Sequence, residues 1–168
     1  IENNVNSMRM FQAMMLVGTD MATKATRDTY GLIVKYRTIP GCVGTYELFG
    51  KAHVVAEIEE IIVGSNTLSP EDYVDCRVMN LIVETFHNNA MFEEVFALVR
   101  YLGASPFDCL IHIKENPQDY SPRIQEIIDE FVEQTSNDLY DDIEQAKKHV
   151  LDPDIVEKYV GGELGTNE

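Results

Sequence analysis

The stretch Val54-Val55-Ala56-Glu57-Ile58-Glu59-Glu60-Ile61-Ile62-Val63-Gly64-Ser65-Asn66-Thr67-Leu68-Ser69-Pro70 is where the chain changes its periodicity. Up to Val63 it is rich in β-branched residues, as a strand is. Gly64 breaks the run, and Ser69-Pro70 pairs a hydroxyl N-cap with a proline at the first helical position. Strands before this point and helices after it predict an α+β fold, with a few N-terminal strands followed by a predominantly α-helical bundle. The glutamates within the strand predict a sheet covered on one side only, with odd-numbered Glu57 and Glu59 facing solvent.

Downstream, Ser105-Pro106 and Ser121-Pro122 repeat the Ser69-Pro70 device, and Asp72 and Asp108 put an acid in the positive first turn. Helices are predicted at about 70–88, 91–102 and 106–115. A long acidic helix starts at Pro122, with a break near Ser136-Asn137-Asp138. Asp152-Pro153 starts a last short helix that ends at Gly161-Gly162. Tyr73, Val74, Cys76, Val78, Met79, Leu81, Ile82, Val83 and Phe86 cover more than half of the first helix, which predicts a central position for it.

Upstream, residues 9–17 are almost continuously apolar and end at Gly18-Thr19-Asp20, the pattern of a strand covered on both faces. Thr19 or Asp20 is placed to cap a helix at 21–29, with Lys24 and Arg27 outward and Gly31 as its stop. Residues 32–39 read as a second strand, and Pro40-Gly41 and Gly44 as turns. Tyr46 to Phe49 before Gly50-Lys51 reads as one arm of a hairpin whose other arm is 54–63. The expected organisation is a strand-rich segment at 1–64, a helical domain at 65–160 and a disordered tail at 161–168.

The 168 residues carry a net charge of −16. Residues 1–40 hold five basic and three acidic side chains, a balance of +2, which leaves −18 on the other 128. Such a field repels phosphate backbones and anionic lipid, so neither nucleic acid nor a membrane surface is expected as a partner. No apolar run reaches the roughly 18 residues of a membrane span. Sparse cysteines at 42, 76 and 109 fit a reducing, cytoplasmic setting. The start at Ile1, without a Met or a basic, apolar leader, suggests a chain cut from a longer one, and processing would explain it equally well.

Few residues carry chemistry. Glu84-x-x-His87 has the spacing of half a di-iron site, but no second copy occurs. Cys109-x-x-His112 could be half a zinc site, and Cys109 is equally read as a small buried hydrophobe. Cys42 sits in a predicted loop, where a reactive thiol would need a base such as His53 or a cation such as Arg37 nearby. The clusters Glu57/Glu59/Glu60, Glu93-Glu94 and Asp141-Asp142 read as solvated faces. No Gly-x-Ser-x-Gly or phosphate-cradling loop occurs. Taken alone, these residues describe a binding or assembly module.

The order of segments adds a resemblance. Met14-Met15-Leu16-Val17-Gly18-Thr19-Asp20 is similar to the last barrel strand and following loop of radical S-adenosylmethionine enzymes. The likeness is to those with a cobalamin-binding domain, of the anaerobic magnesium-protoporphyrin monomethyl ester cyclase type. Thr26-Arg27-x-x-Tyr30-Gly31, Lys35-Tyr36-Arg37-x-x-Pro40, Cys42-x-Gly44-x-Tyr46, Glu57-Ile58-Glu59-Glu60-Ile61, Glu71-Asp72-Tyr73-x-x-Cys76-Arg77 and Val83-Glu84-x-Phe86-x-Asn88 continue it in order. The resemblance spans about residues 10–100.

It implies S-adenosylmethionine, a [4Fe–4S] cluster held by a Cys-x-x-x-Cys-x-x-Cys loop, and cobalamin. That loop and the cobalamin segment would lie in upstream domains of the parent chain. Gly18 and Thr19 match positions that approach the adenosine part of the cofactor, and Arg37 with loop 40–46 could face a substrate cavity. The alternatives are an independent acidic helical interaction module, or a small metal-dependent enzyme using Glu84/His87 or Cys109/His112. If residues 9–17 have lost their barrel neighbours, they leave a bare strand edge through which two chains could form a homodimer.

Overall fold

The computed structural model describes residues 7–164, and the fold is α+β. The elements run α1 (Lys24–Tyr30), β1 (Ile33–Leu48), β2 (Lys51–Gly64), α2 (Pro70–Phe86), α3 (Glu93–Tyr101), α4 (Pro106–Glu115), α5 (Pro122–Asn137), α6 (Ile143–Val150) and α7 (Pro153–Gly161). Helices α2, α4, α5 and α7 start where the hydroxyl and carboxylate caps before proline predict. Ser69 and Asp72 form a reciprocal capping box, each side chain accepting from the other's backbone N–H at 3.1 Å. Ser105 Oγ accepts from Asp108 N at 3.0 Å, and Asp152 caps α7 through Asp154 N. At the end of α3, Ala104 N donates to Val99 O and Gly103 N to Arg100 O, a Schellman closure around Gly103 at φ 77°.

β1 and β2 form one antiparallel ribbon joined by Phe49-Gly50. Both joining residues have positive φ, 53° and 73°, the handedness that a two-residue hairpin requires. β1 is far longer than residues 32–39. Pro40-Gly41 does not end it: between Thr38, opposite Ile58, and Val43, opposite Ala56, the extra residues form a large bulge and pairing resumes. Cys42 therefore lies in a strand bulge, not in a loop between elements.

Several other expectations are corrected. Residues 9–17 are not a two-face-covered strand. They contribute a single bridge, Met14 opposite Ile61, with Met15 N donating to Glu60 O and Ile62 N to Ala13 O. Only Met15 of the run is buried, while Met14, Leu16 and Val17 are exposed. Three of its nine residues are Met and Val17 is its only β-branched residue, so little favours extended pairing. The α1 cap is Thr23, which accepts from Thr26 N, because Asp20–Ala22 form a separate short turn. Arg27 points inward, and Cys76 lies exposed on α2. The ribbon base is covered on both faces: Ile61 and Val63 are buried on one, and Thr38 on the other.

The chain separates into two compact units that cut across the 1–64 and 65–160 division. One comprises Val74–Glu133 with the described residues up to Phe11; the other comprises Gln12–Tyr73 and the chain from Gln134 onward. In the first, Ile82, Val83, Phe96 and Leu110 from α2, α3 and α4 form the core, with Met8 and Met10 packed against it. Asn88 holds Met8 by a reciprocal pair of 2.9 Å hydrogen bonds to its backbone. In the second, α6 and α7 pack on the ribbon, so the last helices belong with the strands. Of the 161–168 tail, Gly162 closes α7 at φ 74°, and residues 165–168 lie outside the described residues.

Candidate functional site

In the ribbon unit Glu57 is exposed as expected, whereas Glu59 and Glu60 are sheltered and paired. Arg27 clamps Glu60 in a bidentate bond, Nη1–Oε1 at 2.5 Å and Nη2–Oε2 at 2.9 Å. That bond holds the Arg27 guanidinium above its ordinary pKa. Arg37 meets Glu59 directly across the ladder at 2.5 Å, with side chains only 16% and 9% exposed. Arg37 is thus committed to a partner on the neighbouring strand. Lys35 bonds Asp141, and Tyr36 exchanges backbone hydrogen bonds with Tyr140, both at 2.8 Å.

A polar cluster forms where α6 and α7 meet the ribbon. Burial pushes the Asp138 carboxyl above its ordinary range, while Arg37 and His149 pull it back. Burial also raises Tyr159, beside Thr38, and raises Tyr140, whose ring tilts over His149 with centroids 5.5 Å apart. Phenols raised in this way stay protonated at neutral pH and act as donors, so the cluster's evident work is to hold two helices to a sheet. Spacing along the chain could not reveal it, because Arg37, Asp138, His149 and Tyr159 converge only through tertiary packing.

The helical unit has an open cavity of about 950 Å³. One wall is the α3 face of Phe92, Val95, Phe96 and Val99, spaced at i, i+3, i+4 and i+7. The opposite wall is α4, with Asp108, Cys109 and His112. The structure thus brings Cys109 and His112 to one surface. His112 Nδ1 lies 3.0 Å from Asn116 Nδ2; if the amide donates there, the ring proton sits on Nε2. Among the described residues no three His, Cys, Asp or Glu side chains converge as a metal site. Cys109 packs against the core and lines an apolar cavity, which suits a small hydrophobe.

The other sequence candidates stand apart. Glu84 is exposed, whereas His87 is buried with its ring 6.4 Å from Phe96 and its Nε2 without a partner. Cys42 precedes Val43, which opposes Ala56, whereas His53 opposes Tyr46 farther toward the hairpin tip. Arg37 is engaged by Glu59. Gly18, at φ 84°, has open space where a side chain would stand, and Thr19 turns its hydroxyl onto Leu16 O at 2.8 Å. Both lie exposed. No Cys-x-x-x-Cys-x-x-Cys occurs in this chain. No helix among the described residues is long and apolar enough to cross a membrane. No protein-family model, curated protein or solved structure matches the chain.

Proposed function

We propose that this chain is the C-terminal accessory region of a cytoplasmic radical S-adenosylmethionine enzyme of the cobalamin-binding type. It closes the barrel and aids substrate or partner contact. The cluster, the cobalamin and most of the S-adenosylmethionine site belong to upstream domains of the parent chain, and Gly18 and Thr19 border the adenosine end. The supporting observation is the exposed apolar run Met14, Leu16, Val17 and Met21, tied to β2 by one bridge. Exposed side chains of this size suit burial against neighbouring strands. Reading the transcript upstream of the Ile1 codon tests the proposal. A Cys-x-x-x-Cys-x-x-Cys motif in frame is expected; an in-frame start with no such motif contradicts it. An independent acidic interaction module is the second reading, favoured by the exposed apolar side chains of Val95, Leu98 and Tyr101 on α3.

A further inference from the structure

The β1–β2 ribbon is closed along both outer edges at its base and open beyond it. At the base, Met15 N donates to Glu60 O and Ile62 N to Ala13 O along the β2 edge, and Tyr140 pairs with Tyr36 along the β1 edge. From the bulge to the hairpin tip, no backbone hydrogen bond among the described residues reaches either edge. Backbone groups alternate sides along a strand. The extra residues of the bulge all lie on β1, so the alternation along β2 is unbroken. Since Glu60 and Ile62 turn their groups outward, so do Ala56, Val54 and Ala52, while Lys51, His53 and Val55 bond their β1 partners Leu48, Tyr46 and Gly44. An open edge of this kind is a template for another strand.

We infer that the outer edge of β2 from Lys51 to Glu57 is a self-association site, to which a second copy of this chain adds its own β2 antiparallel across a twofold axis at Val54. The charges and the hydrogen-bond phase identify the occupant. In an isologous pair every contact occurs twice, so a self-pairing strand must match its own reverse. Reversal about Val54 carries Val54 onto itself, Ala52 onto Ala56 and Lys51 onto Glu57. The first two pairings set outward backbone groups against outward backbone groups, and the ladder gains about six hydrogen bonds. Lys51 falls opposite the other copy's Glu57 as a non-hydrogen-bonded pair, where side chains stand closest. Both are exposed, and neither is ion-paired among the described residues. Centring on His53 would set Lys51 against Val55, and centring on Val55 would carry Lys51 to Glu59, which Arg37 already holds. The β1 edge does not match itself: between Val43 and Leu48 its one charge is Glu47, which meets no cation in any register. Charges at an edge ordinarily repel other strands; these two, opposite in sign and equidistant from Val54, match their own reverse. So short a seam falls below the roughly 1,200 Å² of stable complexes. The net charge of −16 on each copy also opposes it, so the dimer is weak and concentration-dependent.

Sedimentation equilibrium of the 168-residue chain over a micromolar-to-millimolar series, with amide exchange at both ends of it, tests this. The average mass should climb from 19.1 kDa toward twice that value, and the amides of Ala52, Val54 and Ala56 should gain protection with it. Val54→Pro, which removes an outward-facing N–H and none of the β1–β2 hydrogen bonds, should leave the chain monomeric with its circular dichroism unchanged. Lys51→Glu and Glu57→Lys should each weaken association about 10-fold, since each sets like charges opposite one another at two contacts. Mixing those two variants should restore association, because the mixed pair is complementary at both contacts. A chain monomeric throughout, a dimer whose three amides stay unprotected, a mass rising past the dimer without a plateau, or a mixture no more associated than its components would each overturn the inference.

Discussion

Glu59 and Arg37 face each other on paired strands with little access to water, whereas Lys24 and Asp28 make a similar bond at 87% and 64% exposure. Removing one partner of the sheltered pair strands a charge; removing one of the exposed pair returns its partner to solvent. Glu59→Ala should therefore cost about 2–3 kcal/mol, and Lys24→Ala no more than about 0.5 kcal/mol, both read by urea denaturation. Asp138 carries a pH dependence of opposite sense to an ordinary paired carboxylate. Its folded pKa lies above the ordinary 3.8, so the folded state keeps the proton to higher pH than the unfolded chain does. Its contribution is full below the unfolded value and is lost as pH rises through the folded one. Asp138→Asn should thus raise the midpoint of thermal unfolding at pH 7 and leave it nearly unchanged near pH 3. At this scale the sequence exposes caps and spacings only. Cys109 and His112 are visible as i and i+3 neighbours, but the cavity they line needs the α3 wall, and the pairing of Glu59 and Glu60 needs Arg37 and Arg27 brought to the sheet.

Among the elements, the hairpin joint stands under evident backbone strain. Phe49 adopts φ 53° with its ring wholly exposed, a conformation that asparagine tolerates far better. Phe49→Asn should stabilise the chain by roughly 0.5–1 kcal/mol, detected as a higher urea midpoint with an unchanged slope. A fall in stability would mean that the aromatic ring packs on something in solution. Elements with a chemical start signal were readable without coordinates: Ser69, Ser105 and Asp152 cap helices where a hydroxyl or carboxylate precedes proline. The two failures differ in cause. Residues 9–17 are apolar with a single β-branched residue, and they make one bridge instead of a strand. The bulge after Thr38 lets β1 absorb a Pro-Gly pair that locally signals a turn, so there pairing with β2 overrides the local preference.

At the scale of the whole molecule, two cores replace the single bundle that helix order suggests. Leu110 is fully buried in one, Ile61 in the other. Leu110→Ala should cost about 2–5 kcal/mol and strip amide-exchange protection chiefly from α2, α3 and α4. Ile61→Ala should act at similar magnitude on the ribbon with α6 and α7. The α+β class was legible because strand and helix periodicities occupy different stretches. The regrouping of α6 and α7 with the ribbon was not, since it depends on Asp138, Tyr140 and Tyr159 meeting β1 across a hundred residues of intervening chain. The same dependence on distant chain underlies the proposed role. Its most direct test is anaerobic capture of the native polypeptide with antibodies raised against these 168 residues, followed by intact-mass and iron analysis. The account predicts a chain well above 19.1 kDa carrying about four irons per copy; a captured 19.1 kDa chain devoid of iron would contradict it.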